Sequence, residues 1–399
     1  MNSLISIRPP ATAPANCLGP SAILHMAFAG HDLAPLTNSL VARALASPVD
    51  PGATMDLATV LQTQGGALAV EGQAMMHQSV ALQPDYRVSH GNGAGPVLLA
   101  LVTAGDFMAN TPVDFLLNGS DATLILHYVT ADTPDLTLPA HDAAFLAVGQ
   151  STATMPVLAN LTRLLARHHG PVLNNAAAMI GQLTRDHVSA LLAGEPALLA
   201  PLTRRLPRAD LTAGNLDYPV ILRPTDSHAG HGLGLIRDAA DLVAWLAATP
   251  CDTAFIAPFI DYRGADGLFA KYRVVLIDGR PFASHMATSS HWMVHYLNAE
   301  MTTHADRRAA EATWMETFDH IFAPRHAKAF QALHRVFGLD YFGIDCAETP
   351  DGRLLVFEVD TAMIVHDMDD ATLFPYKKPA MKKLFNGFLA LVSGAAKGG

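Results

Sequence analysis

The sequence predicts an α/β (α+β) fold in which a helical segment leads into a small α/β domain and then a strand-rich remainder. Three observations predict it. Strand-like and helical apolar runs alternate between residues 96 and 168, a glycine-tipped hairpin follows Tyr218–Pro224, and two long hairpins occupy 267–285 and 343–360. Alternation on that scale indicates an open, parallel sheet. With 399 residues, 50% apolar and 16% charged, the chain is globular and long enough for two or three cores.

In chain order, residues 1–20 are rich in Pro, Ala and Asn and read as a loose arm. Residues 21–82 carry helical spacing and close on Ala81-Leu82-Gln83-Pro84. That ending suits one tetratricopeptide-like unit or, more plainly, a helical hairpin docked on the next domain. After the break Gly91–Gly95, strands are expected at 96–103, 122–129 and 141–148, with helices at 113–117 and 155–168. Gly105 lies just past the first strand, where open sheets bind ligands, although no Gly-x-Gly-x-x-Gly run accompanies it. A helical stretch containing Arg185 follows. The expected segments are 1–90 (arm and helices), 91–170 (α/β), 171–260 (glycine loop) and 261–399 (acidic hairpin).

Composition excludes several classes. A formal charge of −10 argues against generic nucleic-acid binding. Cys17, Cys251 and Cys346 form no zinc or disulfide framework and suit a reducing, cytoplasmic compartment. No uncharged apolar run approaches the roughly 20 residues of a membrane helix, so a soluble protein is expected.

Chemistry concentrates in four places. Ser227, His228, Gly230, His231 and Gly232 form a loop whose glycines free backbone N–H groups to approach a phosphate. The loop returns as a strand at 233–236 before a helix near Asp238, unlike a Walker A or Rossmann turn; an ordinary turn is the plain alternative. Arg223, on the strand before it, offers a permanently charged fork to phosphate oxygens. Ala257, Phe259 and Ile260 end an apolar strand and offer backbone groups to an adenine edge. Lys271 and Arg273 share one face of a hairpin turning at Asp278-Gly279, a spacing suited to a bound anion or to an exposed sheet face. His291 and His295 have the i, i+4 spacing of a zinc helix, but Trp292 replaces the glutamate, so a stacking loop or plain packing is expected.

The fourth place is the acidic hairpin. Two strands flank the turn Thr349-Pro-Asp-Gly352. A four-residue connection sets Ala347 opposite Leu354 and Asp345 opposite Val356, so Asp345, Glu358 and Asp360 share a face. Asp345 and Glu358 are then diagonal neighbours, roughly 7–8 Å apart at their α-carbons. Three such carboxylates repel each other unless a cation holds them, and oxygen-only ligands suit Mg²⁺; a solvated face is the plain alternative.

The order of these parts resembles the ATP-grasp superfamily over residues 95–390, in the arrangement of ribosomal-protein glutamate ligases and glutathione synthetases. The block Lys-Tyr-Arg-Val, Asp-Gly-Arg-Pro and His-Trp-Met-Val-His-Tyr also looks like a proteobacterial ATP-grasp group often joined to tetratricopeptide arrays. The resemblance implies an ATP-grasp fold with a pre-grasp α/β domain and two subdomains clasping ATP. Arg223 stands for the usual lysine, 227–234 for the loop over the phosphates, and 257–260 for the adenine hinge, with Pro258 where many relatives have glutamate. Arg273, helped by Lys271, matches the arginine at the transferred phosphate, and Arg185 adds a nucleotide contact. Asp345, Glu358 and Asp360 match an Asp…Glu-x-Asn magnesium signature, with Asp360 replacing the asparagine. The implied cofactors are ATP and Mg²⁺, with Mn²⁺ as a substitute. The implied substrates are a carboxylate and an amine, small molecules or peptides, and a homodimer is compatible. The expected activity is carbon–nitrogen ligation through an acyl phosphate. A small-molecule kinase and a non-catalytic nucleotide-binding module docking a partner stay open.

Overall fold

A computed structural model describes residues 13–225, 227, 230–295 and 299–398. The described residues form a mixed α/β protein with three sheets. Helices α1 (Pro20–Phe28), α2 (Ala34–Ala44), α3 (Pro51–Thr63) and α4 (Gly66–Leu82) come first. Asp50 caps α3 by accepting from the Ala53 N–H at 3.1 Å, and Pro51 occupies its first turn. Gly72 lets α4 approach α3 closely, since a Cβ there would lie 2.6 Å from the Ala58 carbonyl oxygen. Met55, Ala58, Met76 and Val80 pack into the core of the first sheet. The pair is a docked hairpin, and the described residues hold no tetratricopeptide array.

The loose arm is corrected for residues 15–19, residues 1–12 lying outside the described ones. Strand β1 (Ala15–Asn16) pairs with β2 (Asp85–Ser89), and the Leu18 and Gly19 N–H groups donate to Asp56 at 2.8 and 3.2 Å. Backbone hydrogen bonds, which composition does not report, tie this segment down. The first sheet continues with β3 (Val97–Val102), β4 (Thr123–Tyr128), β5 (Ala143–Leu146) and β6 (Val172–Leu173), in the order β1-β2-β4-β3-β5-β6. Strands β4, β3, β5 and β6 run parallel, and the apolar runs of β3, β4 and β5 are buried on both faces. Helices α5 (Val113–Leu116) and α6 (Met155–Leu165) connect them, and α7 (Ala177–Ile180) and α8 (Arg185–Leu191) lead onward.

The second sheet carries the glycine loop. After β7 (Leu198–Leu199) come β8 (Arg204–Pro207), β9 (Val220–Pro224), β10 (Gly234–Ile236) and β11 (Thr253–Pro258), ordered β10-β9-β11-β8 with α9 (Ala239–Ala248) between β10 and β11. The third sheet is β13-β12-β14-β15-β7, from β12 (Phe269–Ile277), β13 (Arg280–Ser289), β14 (Tyr341–Glu348) and β15 (Leu354–Asp360). Helices α10 (Ala305–Thr317), α11 (Phe322–Arg325) and α12 (Ala327–Phe337) precede β14, and α13 (Lys377–Gly398) closes the described chain. Phe388 of α13 meets Phe145 and Tyr341 edge-on at 5.5 and 5.7 Å, joining the first and third sheets. Among the described residues no helix is long and apolar enough to cross a membrane.

The register of β14–β15 departs from expectation. Five residues, not four, connect the strands, so Glu348 faces Leu354 and Cys346 faces Val356. That one-residue shift alone would turn Asp345 away from Glu358. A bulge between Asp345 and Cys346 restores the face, setting Asp345 directly opposite Glu358 and Gly343 opposite Asp360. Cys346 packs on the other face in the core, fully buried.

Candidate active site

The third sheet places the basic and acidic strands side by side, because β12 pairs with β14 and sets Arg273 opposite Asp345. Arg273 donates from Nε to Asp345 Oδ1 at 2.8 Å and from Nη2 to Oδ2 at 3.1 Å. Lys271, two residues away on the same face, reaches Asp345 Oδ2 at 2.6 Å. Asp345 is only 2% exposed. Burial alone would raise its carboxyl, but the Arg273 and Lys271 charges outweigh that and hold it well below the usual carboxylate range. His285, opposite Arg273 on β13, is pushed well down by burial and then by the Arg273 charge, so it stands neutral beside the pair.

Glu358 answers to a different cation. Arg185, the first residue of α8, donates from Nη1 and Nη2 to Glu358 Oε1 at 2.9 and 2.7 Å. Asp360 Oδ1 accepts from the Ala362 N–H at 2.8 Å, and burial followed by the Glu358 charge raises its carboxyl to about 6. Arg223 donates to Ser227 Oγ at 3.0 Å and to the Ser227 carbonyl at 2.6 Å, bracing the base of the glycine loop. Its pKa is pushed down to about 10, by burial and then by Arg185.

Two cavities meet at this cluster. The smaller, about 210 Å³, lies between the second and third sheets, with Ala257, Phe259, Ile260, Leu233, Trp292 and Val356 among its apolar walls. Arg185, Arg223, Lys271, Asp345 and Glu358 form its charged side. The larger, about 990 Å³, lies against the carboxyl ends of β3, β4 and β5 and includes Gly105, Ser227 and Asp360. Arg185, Phe255 and Glu358 border both.

Arg273 lines neither cavity; it holds Asp345 and donates from Nη1 to the Ile364 carbonyl at 3.0 Å. Gly230, His231 and Gly232 line neither cavity. The Gly232 carbonyl instead accepts from Trp245 Nε1 at 2.8 Å, and its φ of +67° requires glycine. His228 falls outside the described residues. His291 and His295 lie in irregular chain, not on a helix, while Trp292 meets Phe259 edge-on at 6.1 Å.

The argument that a metal must hold three carboxylates together fails for Asp345, whose oxygens already accept from Lys271 and Arg273. Among the described residues no group of three His, Cys, Asp or Glu side chains is placed to hold an ion. Glu358 and Asp360 do fit a divalent cation, since two oxygen ligands share one face there, and a cation would offset the burial and the Glu358 charge that together raise the Asp360 carboxyl. Counting Arg185, Arg223, Lys271 and Arg273 against Asp345, Glu358 and Asp360 leaves one positive charge when all are ionised, which favours an anion.

Sequence reasoning missed the larger cavity's polar wall. Arg205 of β8 places its guanidinium 5.0 Å from the Phe255 ring centroid and pairs with Asp186 at 3.3 Å. Thr154 Oγ1 donates to the Gly149 carbonyl at 2.6 Å and accepts from the Ser151 N–H at 2.9 Å, shaping the loop after β5. The Ser-Thr-Ala-Thr run ahead of α6 was the available signal.

No family model matches the chain, and no curated protein matches it. Among solved structures it is similar to a RimK-domain ATP-grasp protein from Sphaerobacter thermophilus, at 15% identity over 74% of this chain and 99% of that one, TM-score 0.43. It is similar to a D-alanine–D-alanine ligase from Bacillus anthracis complexed with ATP, at 13% identity over 76% and 97%, TM-score 0.43. A VanG D-Ala:D-Ser ligase from Enterococcus faecalis is similar at 12% identity over 75% and 98%, TM-score 0.44.

Proposed function

We propose that this chain is an ATP-dependent carboxylate–amine ligase working through an acyl phosphate. The observation that carries the proposal is the meeting of an apolar slot and a larger polar cavity at one charged junction, Arg185 with Glu358. A flat base fits the slot between Phe259, Ile260 and Val356, where apolar contact supplies affinity. The phosphates then point toward Arg185, Arg223 and Lys271, whose fixed charges match the charge that develops on the transferred group. Residues 171–260 and 261–399 act as the two halves of the clasp, and 91–170 backs the larger cavity.

Asp345 acts by holding Lys271 and Arg273 in place, so that neither cation has to reorganise as the phosphoryl group moves. Glu358 and Asp360 would hold Mg²⁺, or Mn²⁺ in its place, which supplies charge neutralisation at the phosphates when bound. The carboxylate substrate takes the phosphoryl group from ATP, giving an acyl phosphate and ADP; the amine then displaces phosphate to form the amide. Both substrates enter from the larger cavity, which brings them together at the junction.

Hydroxylamine trapping tests the proposal. A hydroxamate formed with ATP and a carboxylate supports the ligase. ADP formed with a stable phosphorylated product and no hydroxamate points to a kinase, and binding of ATP without ADP points to a non-catalytic module.

A further inference from the structure

We infer that helix α4, from the segment ahead of the first α/β unit, forms the specificity wall of the larger cavity through Gln73 and His77. This rests on the ligase proposal and adds to it a substrate class: a polar, extended molecule longer than a single amino acid, whose far end α4 reads. Gln73 and His77 both border the cavity, and their i, i+4 spacing puts them on one stripe of the helix. The adjoining stripe is locked in place: Gly72, Met76, Ser79 and Val80 are buried, and the Ser79 carbonyl accepts from Tyr86 Oη at 3.0 Å. The stripe is therefore presented by a fixed element, which is what selectivity requires.

Size and chemistry set the class of ligand. At about 990 Å³ the cavity lies at the upper end of small-molecule sites, which run to about 1,000 Å³. Its lining also holds the neutral hydrogen-bonding groups Thr103, Gln150, Ser151, Thr152 and Gln73, together with the carboxylates Asp106 and Asp132. Such groups suit amides and hydroxyls along an extended substrate, while Arg185, Glu358 and Asp360 mark the reacting end. A single amino acid at that end would fill only a small part of the cavity's volume.

The test measures phosphate release by the wild-type protein and the His77→Trp and Gln73→Ala variants, with MgATP and a panel of single amino acids, dipeptides and tripeptides. The expected result is that the wild type prefers the longer compounds and that His77→Trp raises their KM at least tenfold while the Kd for MgATP stays the same. Equal KM values in the wild type and His77→Trp overturn the inference and leave the ligase proposal standing. Hydrogen exchange gives a second readout: triglycine added to the MgATP-loaded protein is expected to slow exchange across residues 66–82, and unchanged exchange there overturns the inference. No phosphate release from the wild type with any compound overturns the ligase proposal, and this inference with it.

Discussion

The two cavities differ in how their walls are made. Strands β9, β11, β12, β14 and β15 supply about half of the smaller one's lining, and α8 with the loop residues at 200–203, 259–262 and 292–294 supplies most of the rest. Loops and a helix from distant parts of the chain wall the larger one: α4, the ends of β3, β4 and β5, and the start of α8. The first draws more on strand pattern and the second more on packing. That contrast accounts for both the chemistry of the two spaces and their visibility in the sequence.

The largest expected effect concerns the charged side of the smaller cavity. Asp345→Asn leaves Lys271 and Arg273 without their counter-charge in a buried setting and should cost about 3–5 kcal/mol. Urea unfolding would measure it, and a loss below 1 kcal/mol would mean the two cations are compensated elsewhere. Next is Glu358→Gln, at the border of both cavities, which should cut ADP formation by at least ~100-fold with an unchanged far-UV spectrum. Turnover at the wild-type rate would separate the junction from the chemistry.

Two smaller effects set one cavity against the other. Thr154→Val removes the Oγ1 bonds to Gly149 and Ser151 that shape the loop after β5 and should cost about 1–3 kcal/mol in stability. It should also raise the KM of the acceptor and spare the Kd for ATP; the reverse pattern would exchange the roles given to the two spaces. Phe259→Ala should weaken ATP binding about tenfold, from roughly 1.5 kcal/mol of lost apolar burial, without altering acceptor KM. Calorimetry and initial rates on the same sample would show whether the two cavities separate cleanly.

The strands at 97–102, 123–128 and 143–146 and the acidic hairpin were legible because each is a local pattern, while β2 and β8 gave no such signal. Period-two alternation put Lys271 with Arg273, and Asp345 with the face of Glu358 and Asp360. What the pattern did not give was the partner. Lys271 and Arg273 were read as free to meet an anion, yet both are held by Asp345, which sits 72 residues from Arg273 in the chain. The bulge at Asp345 was invisible for a related reason: it corrects a connection one residue longer than its turn signal suggested. Arg223 lines the smaller cavity and also braces Ser227, a contact four residues away that no propensity encodes. Gln73 and His77 gave no signal, since nothing local to α4 says which cavity its polar stripe borders.

The central claim is that the apolar slot between the second and third sheets takes ATP. Isothermal titration of MgATP into the wild-type protein and into Ala257→Trp, which fills the 210 Å³ space from β11, tests it most directly. The account predicts saturable binding at one site in the wild type and none in a folded variant. Absence of binding to the wild type, or equal affinity in both proteins, would contradict it.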